Sequence, residues 1–532
     1  MNSTNVVGVH AHDYLAMPPY SVSVSRKSAL SFRSTKYQER LVFGLSLAAC
    51  LAGSPALAQS ANIPSLKSGI SGDVAKTKVQ KKKDAVAKLR EKKAANLATG
   101  SAQSRSTNRP KPKKGSPDAD PFAKFENLRQ KGLVLGVPGP ADTVVQDKGG
   151  VRSALADLGI GYVAWTVNSF ANNLLPDAAR STIANQLYNG QNPTFNTYTY
   201  MIVTYDLSRY GIPDGQIVVG AEQQYYTWKP GGPDRLGISQ ITYYQTFFDK
   251  KLELKAGYLN NIYEFGGTVV GGNAGSNVFG PSSNILYQGG LSLGSMPAPG
   301  VNLKYNFDDR LYTKASVQHS TSPDGVFTSI TENPTALNWS TRNSGTLLLD
   351  ETGYKNNAAP GLSQTWLRAG VGFNDSKYIS LAFPTQPRTS GNSFYYVAAD
   401  RQLWQNDPQG VASRGIYGGF SVMSAPSDLN KVTQYAELRL YAKGLFDSRP
   451  DDQISLVATD TVWSNLAVNT ALAKGNLVHW DSKAISGTYT AHLAPGIYTS
   501  VGLTYINNPT SITYTPQTGH ALNFSVSTSI FF

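Results

Sequence analysis

Apolar and polar residues alternate with a period of two along most of the chain from residue 160 onward. Between Gly161 and Val167 every second residue is apolar and mostly large, which is typical of a β-strand with two different faces. Most segments with this pattern are close to the roughly 9–11 residues with which a tilted strand crosses a bilayer. The predicted strands are 161–167, 197–207, 216–228, 238–248, 252–259, 301–307, 311–318, 364–373, 377–383, 416–422, 432–443, 454–461, 497–505 and 521–532.

Tight turns and long connections both occur between these segments. Asp249-Lys250, Asp308-Asp309 and Ala494-Pro495-Gly496 form tight turns, whereas 266–299 and 320–361 are long and rich in Gly, Asn, Ser and Pro. Short turns at one end and long loops at the other are typical of a membrane barrel. We therefore predict an all-β fold, a transmembrane antiparallel β-barrel of about 16 strands.

The alternation also assigns the two faces of each strand. Val301, Leu303 and Tyr305 share one face of their segment, and Asn302 and Lys304 share the other. In the other strands, too, charged residues and several aromatic residues occupy the face opposite the apolar one. The apolar face is expected to contact lipid and the polar face to line a water-filled lumen.

The charge of the chain is concentrated near its N-terminus. The net charge is +13, yet the residues after position 120 carry equal numbers of basic and acidic side chains. The chain has one cysteine, which excludes a disulfide scaffold and a multi-cysteine metal site. Any nucleic-acid binding would depend on the basic N-terminal region alone, and we predict none because this region is expected to be exported.

Residues 1–58 have the features of a secretory signal peptide with an extended basic region. Arg33, Lys36 and Arg40 precede the apolar run 41–53, and a small-residue cleavage site ends at Ala58. In a second interpretation, residues 47–50 form a lipoprotein processing box, with Cys50 as the lipidated residue. The stretch before Arg33 is long for a signal, which suggests that translation begins at Met17.

Residues 59–130 form a basic extension rich in Lys and Pro, predicted to be helical or disordered in the periplasm. One interpretation is a solvated arm, and the other is contact between 76–114 and an anionic periplasmic polymer. The barrel domain is predicted to span 131–532, with a short helix near 151–158 and a C-terminal strand at 521–532. The terminal Phe532 looks like the signal that the barrel-assembly machinery reads.

Several segments resemble conserved stretches of one family of outer-membrane proteins. Residues 148–160 (KGGVRSALADLGI) are similar to its GG-x-R-x-x-L-x-x-x-G-I opening, and residues 243–257 (YYQTFFDKKLELKAG) are similar to its Y-x-Q-x-F-x-D-x-x-L-x-L-x-x-G hairpin. Residues 444–452 (GLFDSRPDD) match its G-L-F-x-x-R-P-D-D turn, and Ala298-Pro299-Gly300-Val301 and Asn507-Asn508-Pro509 also fall in similar places. Over residues 145–532 the chain resembles the carbohydrate-selective porin family of Gram-negative outer membranes.

The resemblance implies a 16-stranded barrel in the outer membrane that passes mono- and oligosaccharides or polyols by passive diffusion. Carbohydrate solutes and outer-membrane lipids would be its partners, with no cofactor, and both a monomer and a homotrimer remain open. One departure concerns the strand end that the family usually has as G-R-L-D. In this chain it is Gly257-Tyr258-Leu259-Asn260, which lacks the base and the acid.

If the lumen binds sugars, aromatic rings are needed for the C–H faces of a pyranose and charged groups for its hydroxyls. The alternative is that inward charges only hold water in the pore and pair with one another. The candidate pore-lining and sugar-contact residues are Trp366, Arg368, Glu437, Arg439, Lys304, Lys314, Glu222, Tyr226 and Trp228.

Other functions find little support in the sequence. The segment 290–294 (GLSLG) has the spacing of a hydrolase nucleophile elbow, but it lies in a Gly- and Pro-rich connection without a supporting acid and histidine. No phosphate-binding loop, zinc pair or cysteine cluster occurs, so we predict no catalytic residue, cofactor or metal. The alternatives to a sugar porin are a general non-selective porin and a structural barrel whose basic tail tethers a periplasmic polymer.

Overall fold

The computed structural model describes residues 121–133, 137–176, 188–227, 237–267, 284–292, 294, 296–509, 512 and 519–532. The predicted signal peptide, Cys50, the basic stretch 76–114 and Trp228 lie outside the described residues.

Within the described residues, sixteen antiparallel strands follow one another around a closed barrel, which confirms the predicted fold class and strand number. Each strand pairs with its neighbours in sequence, and β1 pairs with β16 from Trp165 opposite Phe531 to Asn173 opposite Asn523. The strands are β1 Ile160–Asn173, β2 Thr194–Asp206, β3 Gln216–Tyr226, β4 Gly237–Phe247, β5 Leu252–Leu259, β6 Ala298–Asn306, β7 Leu311–His319, β8 Thr346–Asn356, β9 Thr365–Asn374, β10 Asn392–Gln405, β11 Gly415–Ser424, β12 Val432–Lys443, β13 Gln453–Trp463, β14 Asp481–Ala494, β15 Ile497–Asn507 and β16 His520–Phe531.

Helices occur only before the first strand and in the connections of the described chain. None of those that the structure describes is long and apolar enough to cross a membrane. The α-helices are α1 Val151–Asp157, α2 Asn284–Gln288, α3 Val326–Glu332 and α4 Asn465–Ala473, and the 3-10 helices are Ala123–Leu128, Pro140–Asp142, Lys148–Gly150, Leu207–Tyr210 and Asn261–Tyr263.

The two ends of the barrel differ in the length of their connections. The turns at 248–251, 307–310 and 495–496 are short, as the sequence predicts, and they lie at the same end as the start of β1. The longest connections, 260–297 and 320–345, lie at the opposite end. Short turns face the periplasm in barrels of this type, so the chain enters β1 from the periplasmic side.

The predicted assignment of faces agrees with the exposure of the side chains. Leu438 on β12 is 67% exposed, whereas its neighbours Glu437 and Arg439 are 2% and 3% exposed. On β6, Val301 and Leu303 are exposed and Asn302 is buried. The apolar residues therefore form the outer surface, and the charged residues point into the barrel.

Two features of the strand prediction are wrong. Residues 377–383 form part of the connection between β9 and β10, where Tyr378 forms an isolated β-bridge with Thr389. The predicted long connection 320–361 contains β8, and the strands β10 and β14 were not predicted. None of these three strands shows the simple alternation of apolar and polar residues on which the prediction depended.

The outer face of β8 carries a carboxylate near the middle of the strand. Asp350 is exposed between the buried Leu349 and Glu351, and its side chain faces lipid beside Thr313. We expect Asp350→Leu to raise the free energy of unfolding in detergent or lipid by about 1–3 kcal/mol, because a lipid-facing acid is costly. Urea titration measures this, and Thr352→Leu on the same face should give a smaller gain. An unchanged value for Asp350→Leu would mean that this face does not contact hydrocarbon.

The constricted lumen as the candidate functional site

The connection 260–297, called here the constriction loop, packs against the inner wall at its first turn. The amide of Asn261 donates to Ser316 Oγ at 3.0 Å and to Gln318 Oε1 at 2.7 Å. Ser292, the central residue of the GLSLG segment 290–294, accepts from the Asn261 backbone N–H at 2.9 Å and donates to Gln318 at 3.1 Å. All of these groups are buried, so Ser292 acts as an anchor of the loop.

Ion pairs hold the next residues of the loop to the wall. Glu264 pairs with Lys255 of β5 at 2.6 Å, and both side chains are nearly fully buried. Glu264 also accepts from Asn302 of β6 at 2.8 Å, and its backbone carbonyl accepts from Lys314 of β7. Buried charges of this kind are stable only when they are paired and hydrogen-bonded, as these are.

Glu351 of β8 is the central acceptor of this contact. Its carboxylate accepts from Tyr396 at 2.7 Å, from Tyr312 at 3.0 Å and from the backbone N–H of Gly266 in the loop at 3.1 Å, and it lies 3.5 Å from Lys314. One carboxylate thus joins three strands of the wall to the constriction loop.

Trp366 and Arg368 lie beside this contact, on the inner face of β9, and are 3% and 2% exposed. The guanidinium stacks on the indole at 3.6 Å from the ring centroid, pairs with Asp400 of β10 at 3.0 Å and donates to the carbonyl of Gly267 in the loop. The geometry gives Arg368 a role in holding the loop, and direct contact of this pair with a sugar stays a prediction.

The loop also reaches strands farther round the barrel. Gln288 at the end of α2 exchanges two hydrogen bonds of 3.0 Å with the backbone of Val432 at the start of β12. The apolar residues around α2 pack against inward side chains of β8, β10, β11 and β12. The members of this cluster are Ile262, Phe265, Ile285, Leu286, Leu291, Leu347, Leu349, Phe394, Tyr396, Met423, Ala425, Val432 and Tyr435.

The other candidate residues of the sequence occupy different surroundings. Arg439 is buried among Glu437, Asp400 at 3.2 Å and Ser421 at 2.7 Å, within the wall of β10 to β12. Lys304 pairs with Glu253 at 2.7 Å near the periplasmic end of β6.

Glu222 is fully buried beside Tyr200 and Gln224. Tyr226 is the last residue of β3, and its side chain lies outside the part that the structure describes. The structure brings Lys314, Trp366 and Arg368 together at the loop. The Glu437–Arg439 pair adjoins them, because Asp400 accepts from Arg368 at 3.0 Å and from Arg439 at 3.2 Å, whereas Glu222 lies on the β3 side against Gly294 of the loop.

The opposite part of the wall carries small hydroxyl side chains. Thr490, Ser500, Ser527 and Ser169 are register partners across β14, β15, β16 and β1, and we call them the hydroxyl row. Thr490 and Ser500 share a hydrogen bond of 2.8 Å, as do Ser527 and Ser169. These side chains are only partly buried, whereas inward residues of β7 to β12 beneath the loop are mostly buried. The open part of the lumen therefore runs along the hydroxyl row.

Residues 121–133, called here the N-terminal segment, lie inside the periplasmic mouth. Lys131 N–H donates to Gln216 at 2.9 Å, and Gln130 donates to Gln240 at 3.0 Å. The carbonyl of Leu128 lies against β1 where a Cβ on Gly161 would be 2.4 Å away, so only glycine fits there. The segment thus narrows the barrel below the constriction loop.

A second contact fixes the chain that follows this segment. Asp142 accepts from the backbone N–H of Gly496 at 2.7 Å and lies 3.0 Å from His492 Nε2. Val144 N–H donates to the carbonyl of Phe531 at 2.8 Å. These bonds attach the chain before β1 to β14, to the turn before β15 and to β16 at the periplasmic end.

The free energy of unfolding is expected to depend on pH through a histidine in the connection between β13 and β14, at the extracellular end. Burial lowers the pKa of His479, which precedes β14 and packs edge-on against Trp463. The unfolded chain has the ordinary pKa of about 6.5, so stability is expected to fall as the pH decreases from that value toward the lowered folded pKa. Urea midpoints at pH 7.5 and 5 measure this loss. The loss of stability between these two pH values should be smaller in His479→Gln. In a variant of the exposed His520 the loss should equal that of the original chain.

Sequence reasoning missed Glu351, Asn261, Asp400 and Tyr396. Glu351 and Tyr396 lie on strands that were not recognised, and Asn261 acts from a connection. The two asparagines that follow β5, Asn260 and Asn261, are the one signal that could have found part of this site.

A family model matches most of the barrel. The model of the carbohydrate-selective porin, OprB family, matches residues 203–529, which is more than half of the chain. Among curated proteins, none matches the chain by sequence. The family match confirms the resemblance that the sequence motifs indicate.

Solved structures of similar barrels cover most of this chain. The high-pH structure of Pseudomonas putida OprB is 16% identical, covers 74% of this chain and 99% of that chain, and gives a TM-score of 0.62. The low-pH structure of the same protein is 15% identical, covers 74% and 98%, and gives 0.45. A mutant of the Rh. blastica porin is 9% identical, covers 70% and 100%, and gives 0.37. The first shares the fold of this chain, and with the family match it follows that the chain belongs to the carbohydrate-selective porin family, OprB, of the outer membrane.

Proposed function

We propose that this porin passes carbohydrates by passive diffusion between the constriction loop and the hydroxyl row. The observation that supports the proposal is the division of the lumen. The charged and aromatic residues of β7 to β12 are largely buried under the loop, whereas Thr490, Ser500, Ser527 and Ser169 retain contact with the open space.

The hydroxyl row suits a solute that must bind weakly and leave quickly. Serine and threonine hydroxyls both donate and accept, so they replace part of the water around a sugar without holding a charge. The four side chains are small, which keeps the passage wide at that level. Flux would follow the solute gradient, with no coupling to an energy source.

The same geometry argues for a channel without catalysis. Ser292 is fully buried, and its hydroxyl bonds to Gln318 and not to a histidine. Among the described residues, no group of three or more His, Cys, Asp or Glu side chains is placed to hold a metal ion. The burial of Ser292 and its bond to Gln318 support its role as an anchor of the loop.

Liposome swelling tests the proposal. The mature protein should admit arabinose, glucose and sucrose at rates that fall with size, and gluconate provides a charged comparison. We expect Ser527→Trp to slow sucrose by roughly tenfold and arabinose less, because an indole placed in the row narrows the passage. Val526→Trp, whose side chain faces lipid, is the matched control and should leave both rates unchanged.

The outcomes separate the alternatives. Equal swelling by all small solutes, insensitive to Ser527→Trp, would indicate a general non-selective porin. A correctly folded barrel that shows no swelling would overturn the channel function. In that case a structural barrel becomes the leading proposal, because Gln130, the last residue of the basic extension, lies at the periplasmic mouth.

We also propose that residues 76–114 bind an anionic periplasmic polymer. The support is their charge, together with the position of residues 121–133 at the end of the barrel that faces the periplasm. Sedimentation of the protein with purified peptidoglycan tests this, and removal of residues 76–114 should abolish co-sedimentation while leaving swelling rates unchanged.

A further inference from the structure

Part of the connection between β7 and β8 lies against the outer wall of the barrel at its extracellular end. Tyr258 is on the lipid-facing side of β5, opposite Pro299 of β6, and its hydroxyl donates to the carbonyl of Leu337 at 2.7 Å. The seam beneath the connection is lined by residues that include Pro299, His319, Asn333, Asn338 and Trp339. Residues 333–341, called here the rim segment, therefore face the membrane side of the rim.

Internal hydrogen bonds give the rim segment a defined shape. The backbone N–H of Asn338 donates to Asn333 Oδ1 at 2.9 Å, and its side-chain amide donates to the carbonyl of Glu332 at 2.6 Å. Between them the buried Ala336 takes a left-handed φ of 65°, which reverses the chain. The side chains on the outer side of the segment are therefore held in place before any partner binds.

The outer side of the rim segment carries a large apolar group among small polar ones. Trp339 is 70% exposed and Leu337 is 40% exposed, and Thr335, Asn338 and Ser340 beside them are exposed as well. Tryptophan is enriched at the level of lipid headgroups, because its ring is apolar and its N–H is polar. Its position at the extracellular rim places Trp339 near the headgroups of the outer leaflet.

The rim segment is uncharged, which limits the headgroups that it suits. Residues 333–341 contain no Lys, Arg, Asp or Glu, and the flanking Glu332 and Arg342 pair with each other at 2.7 Å. A phosphate headgroup is recognised by basic side chains, which the segment lacks. Amides and hydroxyls exchange hydrogen bonds with sugar hydroxyls, and an indole packs on the C–H face of a sugar. The composition therefore favours an uncharged sugar.

The surroundings of the segment favour a sugar that is carried by a lipid. The cavity in the seam holds about 20 Å³, far less than the roughly 300 Å³ of the smallest ligand sites, so a sugar ring binds on the outer side. Directly below, the register partners Val301 and Val317 are 41% and 54% exposed on the outer wall. This apolar surface continues from the rim toward the membrane interior and suits an acyl chain.

We propose that the rim segment and the wall below it bind a glycolipid of the outer leaflet. Its uncharged sugar headgroup would lie against Trp339 with its hydroxyls near Asn338 and Ser340, and its acyl chain would lie along Val301 and Val317. This partner resides in the membrane and does not pass through the lumen. The proposal therefore does not depend on the solute that the pore admits.

Native mass spectrometry of the folded barrel in detergent tests the lipid preference. The probes are digalactosyl diacylglycerol, whose headgroup is an uncharged disaccharide, and phosphatidylglycerol with the same acyl chains. We expect the glycolipid to bind at least about threefold more tightly, because only its sugar offers a C–H face to the indole. A higher ammonium acetate concentration should leave its affinity unchanged, since no charged group takes part.

Trp339→Ala should remove the preference and bring the glycolipid to the affinity of phosphatidylglycerol. The side chain is 70% exposed, so the thermal midpoint of the barrel should stay the same, as should the swelling rates. Trp404→Ala is the matched control. Trp404 is also an exposed tryptophan, at 48%, but it lies at the periplasmic end of β10, and its variant should keep the preference.

Three results would overturn the proposal. Equal affinity for the two lipids would show that the rim contacts lipid without recognising a sugar. An equal loss in both tryptophan variants would show that the preference does not arise at the rim segment. Displacement of the glycolipid by free raffinose at equal concentration would assign the segment to a soluble sugar instead. Each result is independent of swelling, so passive carbohydrate flux stands or fails by its own test.

Discussion

Glu351→Ala is expected to widen the pore. The substitution removes the acceptor for Tyr312, Tyr396 and the Gly266 backbone N–H, and it leaves Lys314 without its 3.5 Å partner. Removing one partner of a buried ion pair costs about 3–5 kcal/mol. The barrel wall is held by backbone hydrogen bonds on both sides of β8, so the constriction loop is the part that can yield. We expect roughly twofold higher single-channel conductance and faster raffinose entry relative to arabinose.

Asp452→Ala provides the control for that experiment. Asp452 is also a buried carboxylate, and it accepts from Arg449 at 2.8 Å and from the His492 backbone N–H at 2.9 Å. These contacts lie in the periplasmic turn before β13, so their loss should lower stability without changing conductance. If Glu351→Ala lowers the thermal midpoint but keeps the original conductance and size limit, Glu351 does not hold the loop.

The sequence predicted the strands whose two faces differ in polarity, and it failed where the inner face is apolar. On β8, Leu347 and Leu349 point inward onto the constriction loop, while Asp350 points toward lipid. Because Leu348 also points outward and Glu351 points inward, both faces of β8 mix apolar and charged residues, and no single polar face marks the strand. On β10, Phe394 points inward and Tyr395 outward, so both faces are apolar and the period-two signal disappears.

Two further errors have local causes. β14 contains Ser486, Gly487 and Thr488 in sequence, and small residues give too little hydrophobic contrast to mark a strand. Residues 377–383 alternate well, but their Tyr378 hydroxyl donates to the carbonyl of Gln288, so the segment is occupied in anchoring the loop. For residues 377–383 the tertiary contact, which the local pattern does not contain, therefore decides the structure.

The candidate site was predictable only in part for the same reason. The period-two pattern places Trp366, Arg368 and Lys314 on inner faces, because successive side chains of a strand point to opposite faces of the sheet. Their burial under the constriction loop depends on residues such as Asn261 and Glu264, which come from a connection with no period. The pattern therefore predicts that a side chain points inward, but it does not predict whether that side chain contacts water in the lumen.

The division of the lumen follows from where the loop anchors. Ion pairs and an apolar cluster bind it to strands from β5 to β12, which explains why charged residues there are buried in pairs. On the side of β16 to β2, Tyr263 of the loop packs against the cluster that contains Trp165 of β1 and Phe531 of β16. The hydroxyl row itself receives no hydrogen bond from the described part of the loop, so selectivity for size would arise beside this row.

Removal of the N-terminal segment is expected to have the second largest effect on conductance. The Arg129 carbonyl, the Gln130 side chain and the Lys131 backbone N–H form hydrogen bonds of 2.9–3.0 Å with Gln216 and Gln240 inside the periplasmic mouth. A mature chain that starts at residue 140 keeps Asp142 and its bonds to the last hairpin but lacks this obstruction. We expect single-channel conductance to rise by roughly half to twofold, because the segment no longer narrows the outlet.

A chain that starts at residue 119 is the matched control for this truncation. It lacks residues 59–118 of the basic extension and keeps the N-terminal segment, so its conductance should equal that of the full mature protein. If both truncations raise conductance equally, the extension and not the segment obstructs the mouth. If neither truncation raises conductance, the rate of passage is set between the constriction loop and the hydroxyl row. Among these variants, only Glu351→Ala should then raise the conductance.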